Sequence, residues 1–110
     1  MKCALGTDLG MSSVASKFNH GMNGREFGYA VEAGMSALEA IEAGTANGPD
    51  TLGPQAPLSG QLKEGFDADF IALSENPLHD IDVLAQPEKV THVWKGAQLF
   101  KSPEKAVNVF

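Results

Sequence analysis

A chain of 110 residues with 43% hydrophobic and 20% charged side chains is sized and composed for one ordinary globular domain. Its formal charge of −6, with eight Lys and Arg scattered and never in a run, argues against nucleic acid or an anionic membrane surface as partner, since both need clustered cations. One cysteine, Cys3, excludes an internal disulfide, no apolar run approaches the roughly 20 residues of a membrane span, and no basic, apolar leader opens the chain, so a cytoplasmic location is expected.

Residues 2–7 read as a short strand covered on both faces, because Cys3, Ala4 and Leu5 are consecutive and apolar. In that setting Cys3 is expected to be an inert small hydrophobe. Gly10, Ser12, Ser13, Gly21 and Gly24 mark residues 9–24 as a loop. Phe27, Ala30 and Val31 then fall at i, i+3, i+4 and give a helix one apolar face, with Gly34 as its stop. Ser36 and Glu39 have capping-box spacing at the start of a second helix, where Leu38 and Ile41 share a side. A third short helix is expected through Asp50 to Leu52, with Pro49 in its first turn. Glu26, Glu32, Glu39 and Glu42 read as solvated helix faces. The stretch GPQAPLSG, residues 53–60, is a Pro/Gly loop.

After Gly60 the pattern turns to β. ADFIALS, residues 68–74, reads as a strand. In VTHVWK, residues 90–95, Val90, His92 and Trp94 alternate with Thr91 and Val93. Lys95 and Gly96 suit a tight turn, with Gly96 taking positive φ, and Ala97 to Phe100 form the return strand. Residues 75–89 between these strands are a loop with about one helical turn. Trp94 is expected in the core of the β region, and His92 is expected as a packed strand residue. The order is strand, helices, small antiparallel sheet, an α+β chain.

The lone carboxylate at the end of the first strand, Asp8, has two readings. An Asp there caps the next turn. Equally, the C-terminal end of a buried parallel strand is where barrel enzymes place their chemistry. His20 and Asn23, in the loop that follows, either meet solvent and backbone or touch a ligand. His79, near Asp80 and Asp82, reads as a surface residue.

Taken in order, GTD (6–8), HGMNGREFGYAVEAGMSALEAIEAGTAN (20–47), GQLKEGFDADFIAL (60–73), NPLHDI (76–81) and VTHVWKG (90–96) resemble the carboxyl-terminal end of metal-dependent amidohydrolases. The branch is the imidazolonepropionase-like and Xaa-Pro dipeptidase-like enzymes. The resemblance implies that residues 1–57 are the last strand, loop and terminal helices of a TIM-type barrel. Residues 58–110 are then part of the family's small composite β-sandwich, with Asp67 and Asp69 at a structural turn. It further implies zinc or another divalent metal, an amide or dipeptide substrate, and hydrolysis of an amide, peptide or cyclic C–N bond by metal-activated water. Asp8 matches the family's metal-binding aspartate, which also serves as the base. Thr7 would orient it, and His20 and Asn23 would border the substrate.

The resemblance also implies donors that this sequence lacks. No His-x-His occurs, and His20, His79 and His92 stand at unrelated spacings. A catalytic zinc takes three protein ligands, so the chain by itself is expected to hold no metal tightly and to be inactive. The alternative is a non-enzymatic α+β module that self-associates, exchanges a segment into a dimer, or complements a separate barrel chain, because a strand torn from its neighbours seeks a partner.

Overall fold

A computed structural model describes residues 2–6 and 23–104. Three helices come first: α1 (Arg25–Glu32), α2 (Ala37–Gly44) and the one-turn α3 (Asn47–Asp50). A three-stranded antiparallel sheet follows, β1 (Phe70–Leu73), β2 (Val90–Lys95) and β3 (Gln98–Lys101), paired in chain order. Two short 3-10 helices, Ile81–Ala85 and Pro87–Lys89, occupy the β1–β2 connection. This is an α+β arrangement, as the pattern implied. Among the described residues no helix is long and apolar enough to cross a membrane.

Local chemistry explains the helix ends. At the end of α1, Gly34 lies at φ +117, a left-handed conformation that glycine adopts without cost. Its N–H donates to Val31 O and the next N–H, of Met35, reaches back to Ala30 O, so two otherwise orphaned carbonyls are satisfied. The capping box of α2 is formed in full. The Glu39 N–H donates to Ser36 Oγ at 3.1 Å and the Ser36 N–H donates to Glu39 Oε1 at 3.0 Å. That backbone N–H, and then the serine hydroxyl, hold the Glu39 carboxyl below its ordinary value.

A folded-state value below the unfolded one adds stability that is complete above the ordinary glutamate range and is lost as pH falls through the lowered value. Acid titration followed by circular dichroism should therefore show α2 weakening in that window. Glu39→Gln, which keeps the acceptor, should flatten the response. Ser36→Ala should cost about 1 kcal/mol at neutral pH, read as a lower unfolding midpoint.

The two-residue turn between β2 and β3 is Gly96–Ala97, with Lys95 pairing Gln98 across it. Both turn residues have positive φ, 57 and 67, the geometry whose twist matches that of the flanking strands. Ala97 adopts it because the turn is docked on the segment before β1. The Ala97 N–H donates to Ala68 O at 3.0 Å, and the Gly96 N–H donates to Asp69 Oδ1 at 2.8 Å. Opposite β2, β1 pairs Phe70 with Trp94 and Ala72 with His92, and a bulge at Thr91 precedes the Leu73–Val90 pair. Thr91 Oγ1 lies 3.3 Å from Ala72 O across that bulge.

Several expectations are corrected. Residues 2–6 form no ladder with another strand, and Cys3 is exposed. A strand exists only with a partner, and no described strand lies alongside to supply one. The buried face of α2 is Ala40 and Ala43, while Leu38 is exposed. α3 begins at Asn47, earlier than Pro49 alone suggested. Trp94 is half-buried, stacked at 4.5 Å on Phe70 and at 5.2 Å on His92 along one sheet face. The β1–β2 connection carries two 3-10 helices in place of one helical turn.

The core is small. Among the described residues the buried hydrophobics are Ala30, Ala40, Ala43 and Val83. Val83 comes from Ile81–Ala85, which packs on α1. Tyr29, Leu38, Leu52, Leu58, Leu62, Ile71 and Leu78 are exposed, Leu62 at 82%.

Candidate active site

Gly6 and Asn23 line one hollow. Its volume is about 150 Å³, and its other walls are Leu5, Glu26, Phe27 and Gly44. Phe27 and Glu26 come from the first turn of α1, and Gly44 ends α2. Asn23, the residue expected to border the substrate, is exposed here, and its carbonyl accepts from the Glu26 N–H at 3.1 Å. Asp8, Thr7 and His20 lie outside the described residues.

The segment leading toward Asp8 is fastened from the helical layer. The Leu5 N–H donates to Ala43 O at 2.9 Å, and Asn47 Nδ2 donates to Cys3 O at 2.9 Å. Lys2 Nζ meets Asp50 Oδ2 at 2.8 Å, and that hydrogen bond raises the lysine's pKa. These contacts join residues 38 to 48 positions apart, and no local periodicity signals such a pairing.

The remaining histidines lie elsewhere. His92 is on β2, its Nδ1 2.8 Å from Thr91 Oγ1. His79 is exposed beside a hollow lined by Glu75, Asn76, Asp80 and Lys89. The carboxylates there are already engaged. Asp80 Oδ1 accepts from the Asp82 N–H at 3.1 Å and caps Ile81–Ala85. Glu75 pairs with Lys89, whose pKa that hydrogen bond raises. Asp69 is spent on the β2–β3 turn, and the Asp67 N–H donates to Leu58 O at 2.7 Å. Among the described residues no three His, Cys, Asp or Glu converge on a point that would hold a metal ion. They do not fit a catalytic zinc, which needs three protein ligands.

A model of the Amidohydrolase family matches residues 1–100, and the chain belongs to that family. It is 55% identical over 101 residues to an ochratoxinase of Aspergillus niger, covering 91% of this chain and 19% of that enzyme. The crystal structure of A. niger ochratoxinase matches with a TM-score of 0.73 at 57% identity, over 78% of this chain and 20% of that one. A Xaa-Pro dipeptidase crystallised with methionine in its active site matches with a TM-score of 0.67 at 38% identity, over 76% and 20%. The chain thus spans about a fifth of the length of these relatives.

Proposed function

We propose that this chain is the carboxyl-terminal portion of a metal-dependent amidohydrolase and supplies one catalytic carboxylate, Asp8, to a site completed by a longer polypeptide. The observation that carries the reading is the match that runs through nearly the whole chain yet covers only a fifth of each relative. In this reading residues 1–57 close the barrel and residues 58–110 belong to the composite sandwich. The exposed Leu38, Leu58, Leu62 and Ile71 are surfaces that the missing layers would cover.

The substrate class is a small amide or dipeptide, in line with a relative named as a Xaa-Pro dipeptidase. Asp8 takes the proton of the attacking water and returns it to the leaving nitrogen, as a carboxylate within hydrogen-bond reach can. His20 and Asn23 border the substrate, Asn23 from the rim of the hollow between Gly6 and α1. The rest of the longer polypeptide supplies the remaining donors.

The test is complementation. The chain alone should show no turnover of Xaa-Pro dipeptides, and co-expression with a barrel polypeptide carrying the His-x-His pair should restore it. Turnover by the chain alone, or none after a stable complex forms, overturns the proposal. The exposed apolar side chains also favour a second reading, self-association without catalysis. Light scattering decides that one: a monomer at high concentration excludes it.

A further inference from the structure

We propose that Asn23–Gly24 is a site of spontaneous covalent modification, where the asparagine converts through a cyclic imide to aspartate and isoaspartate, and that the fold locks Asn47–Gly48 against the same reaction. These are the two Asn–Gly pairs in the sequence. In the reaction the Gly24 main-chain nitrogen attacks Asn23 Cγ and closes a succinimide ring. The Cγ–Nδ2 bond breaks, and the amide leaves as ammonia with the proton taken from the glycine nitrogen. Water then opens the ring at either carbonyl. The product is aspartate or, with the main chain rerouted through the side chain, isoaspartate. Water enters and ammonia leaves, with no oxidation or reduction.

Glycine hinders this attack least, because no Cβ shields its nitrogen. At position 24 the fold itself requires glycine, since a Cβ there would lie 1.8 Å from Leu84 O. Packing thus imposes the reactive pair. Asn23 is exposed and precedes α1, and its main-chain carbonyl accepts from the Glu26 N–H at 3.1 Å. That bond engages the main chain, and among the described residues none holds the carboxamide. Asn47 is held differently. It is half-buried at the first position of α3, and its Nδ2, the atom that must leave, donates to Cys3 O at 2.9 Å. Gly48 is pinned beside it, its carbonyl accepting from the Thr51 N–H at 3.1 Å and from Thr51 Oγ1 at 2.7 Å. Ring closure at Asn47 must break the bond to Cys3 and turn the chain out of helical geometry. One hydrogen bond lost on the way slows such a step by about 10-fold.

The experiment holds the full chain at mildly alkaline pH, in buffer and in urea, and digests samples over time. Mass spectrometry reads the amide-to-acid change in the peptides carrying Asn23 and Asn47, and isoaspartyl methyltransferase labels the isoaspartate. In buffer Asn23 should convert about 10-fold faster than Asn47. In urea the two rates should converge, chiefly because Asn47 accelerates. Asn23→Gln, whose longer side chain closes a larger and slower ring, should abolish the early label. Equal rates in buffer, or Asn47 reacting first, overturns the proposal. So does an Asn23 that reacts only in urea, and a gap that persists in urea removes the role of the fold.

Discussion

Asp8→Asn in the assembled enzyme is expected to lower kcat/KM by about 1000-fold, near 4 kcal/mol of transition-state stabilisation. The substitution is chosen because it separates the two readings that the sequence leaves open. Asparagine is as good a cap as aspartate, since its side-chain oxygen accepts from the same backbone N–H groups. If Asp8 only caps a turn, Asp8→Asn should leave both turnover and the melting midpoint close to wild type. If Asp8 carries a proton, the amide cannot take it up and the rate should collapse without loss of fold. His20→Ala and Asn23→Ala should behave differently. Removing a group that borders the substrate and binds it equally in ground and transition state raises KM and leaves kcat largely intact. Steady-state kinetics on one dipeptide, with a thermal melt of each variant, reads all three. Asp8→Asn with kcat/KM within a few-fold of wild type would remove the catalytic assignment.

What the sequence made legible follows a physical rule, the range over which each signal acts. The Ser36–Glu39 capping box, the stop at Gly34 and the positive φ of Gly96 are decided within a few residues, and the structure contains all three, although the turn falls on Gly96–Ala97, one residue later than Lys95–Gly96, and the return strand starts at Gln98. The alternation in residues 90–95 anticipated β2 and its aromatic face of His92 and Trp94. Features that depend on a distant partner were not legible. Consecutive apolar residues at 3–5 signal burial without naming what buries them, and in this chain Cys3 is exposed. On α2 the sequence places Leu38 and Ile41 on one side without saying which side packs, and Ala40 and Ala43 are the buried pair. Which face turns inward depends on what packs against the helix, and small residues permit the closer approach.

The candidate site divides along the same line. Asp8 and His20 follow from a resemblance of ordered motifs and lie outside the described residues. Asn23 belongs to the same ordered motifs and stands on the rim of a hollow that Gly6 also lines. The bond from Asn47 to Cys3 spans 44 positions, and nothing in either residue's neighbourhood announces it. Asp69 reads as part of a structural turn, and its carboxylate accepts from the Gly96 N–H, two strands downstream.

Gly24→Ala should be the most destabilising single-methyl change in the helical layer. A Cβ at Gly24 would lie 1.8 Å from Leu84 O and 2.7 Å from Leu84 C, with Ala85 Cα at 3.2 Å. All three are backbone atoms, so no rotamer change relieves the overlap, and the start of α1 must lift off Ile81–Ala85. That 3-10 helix carries Val83, which is fully buried, so the lift opens one of the few closed parts of the core. Overpacking of this kind costs about 3 kcal/mol at its upper end, a large share of a stability of roughly 5–15 kcal/mol. Gly48→Ala is the control. It lies within α3, with nothing within 4 Å of the added methyl, so the change should be neutral or should stabilise by up to about 1 kcal/mol. Parallel urea titrations of the assembled protein should separate the two midpoints clearly. Gly24 adjoins Asn23, so its alanine variant should also disturb the rim of the hollow and raise KM. Equal midpoints for the two variants would mean that α1 does not rest on residues 84–85.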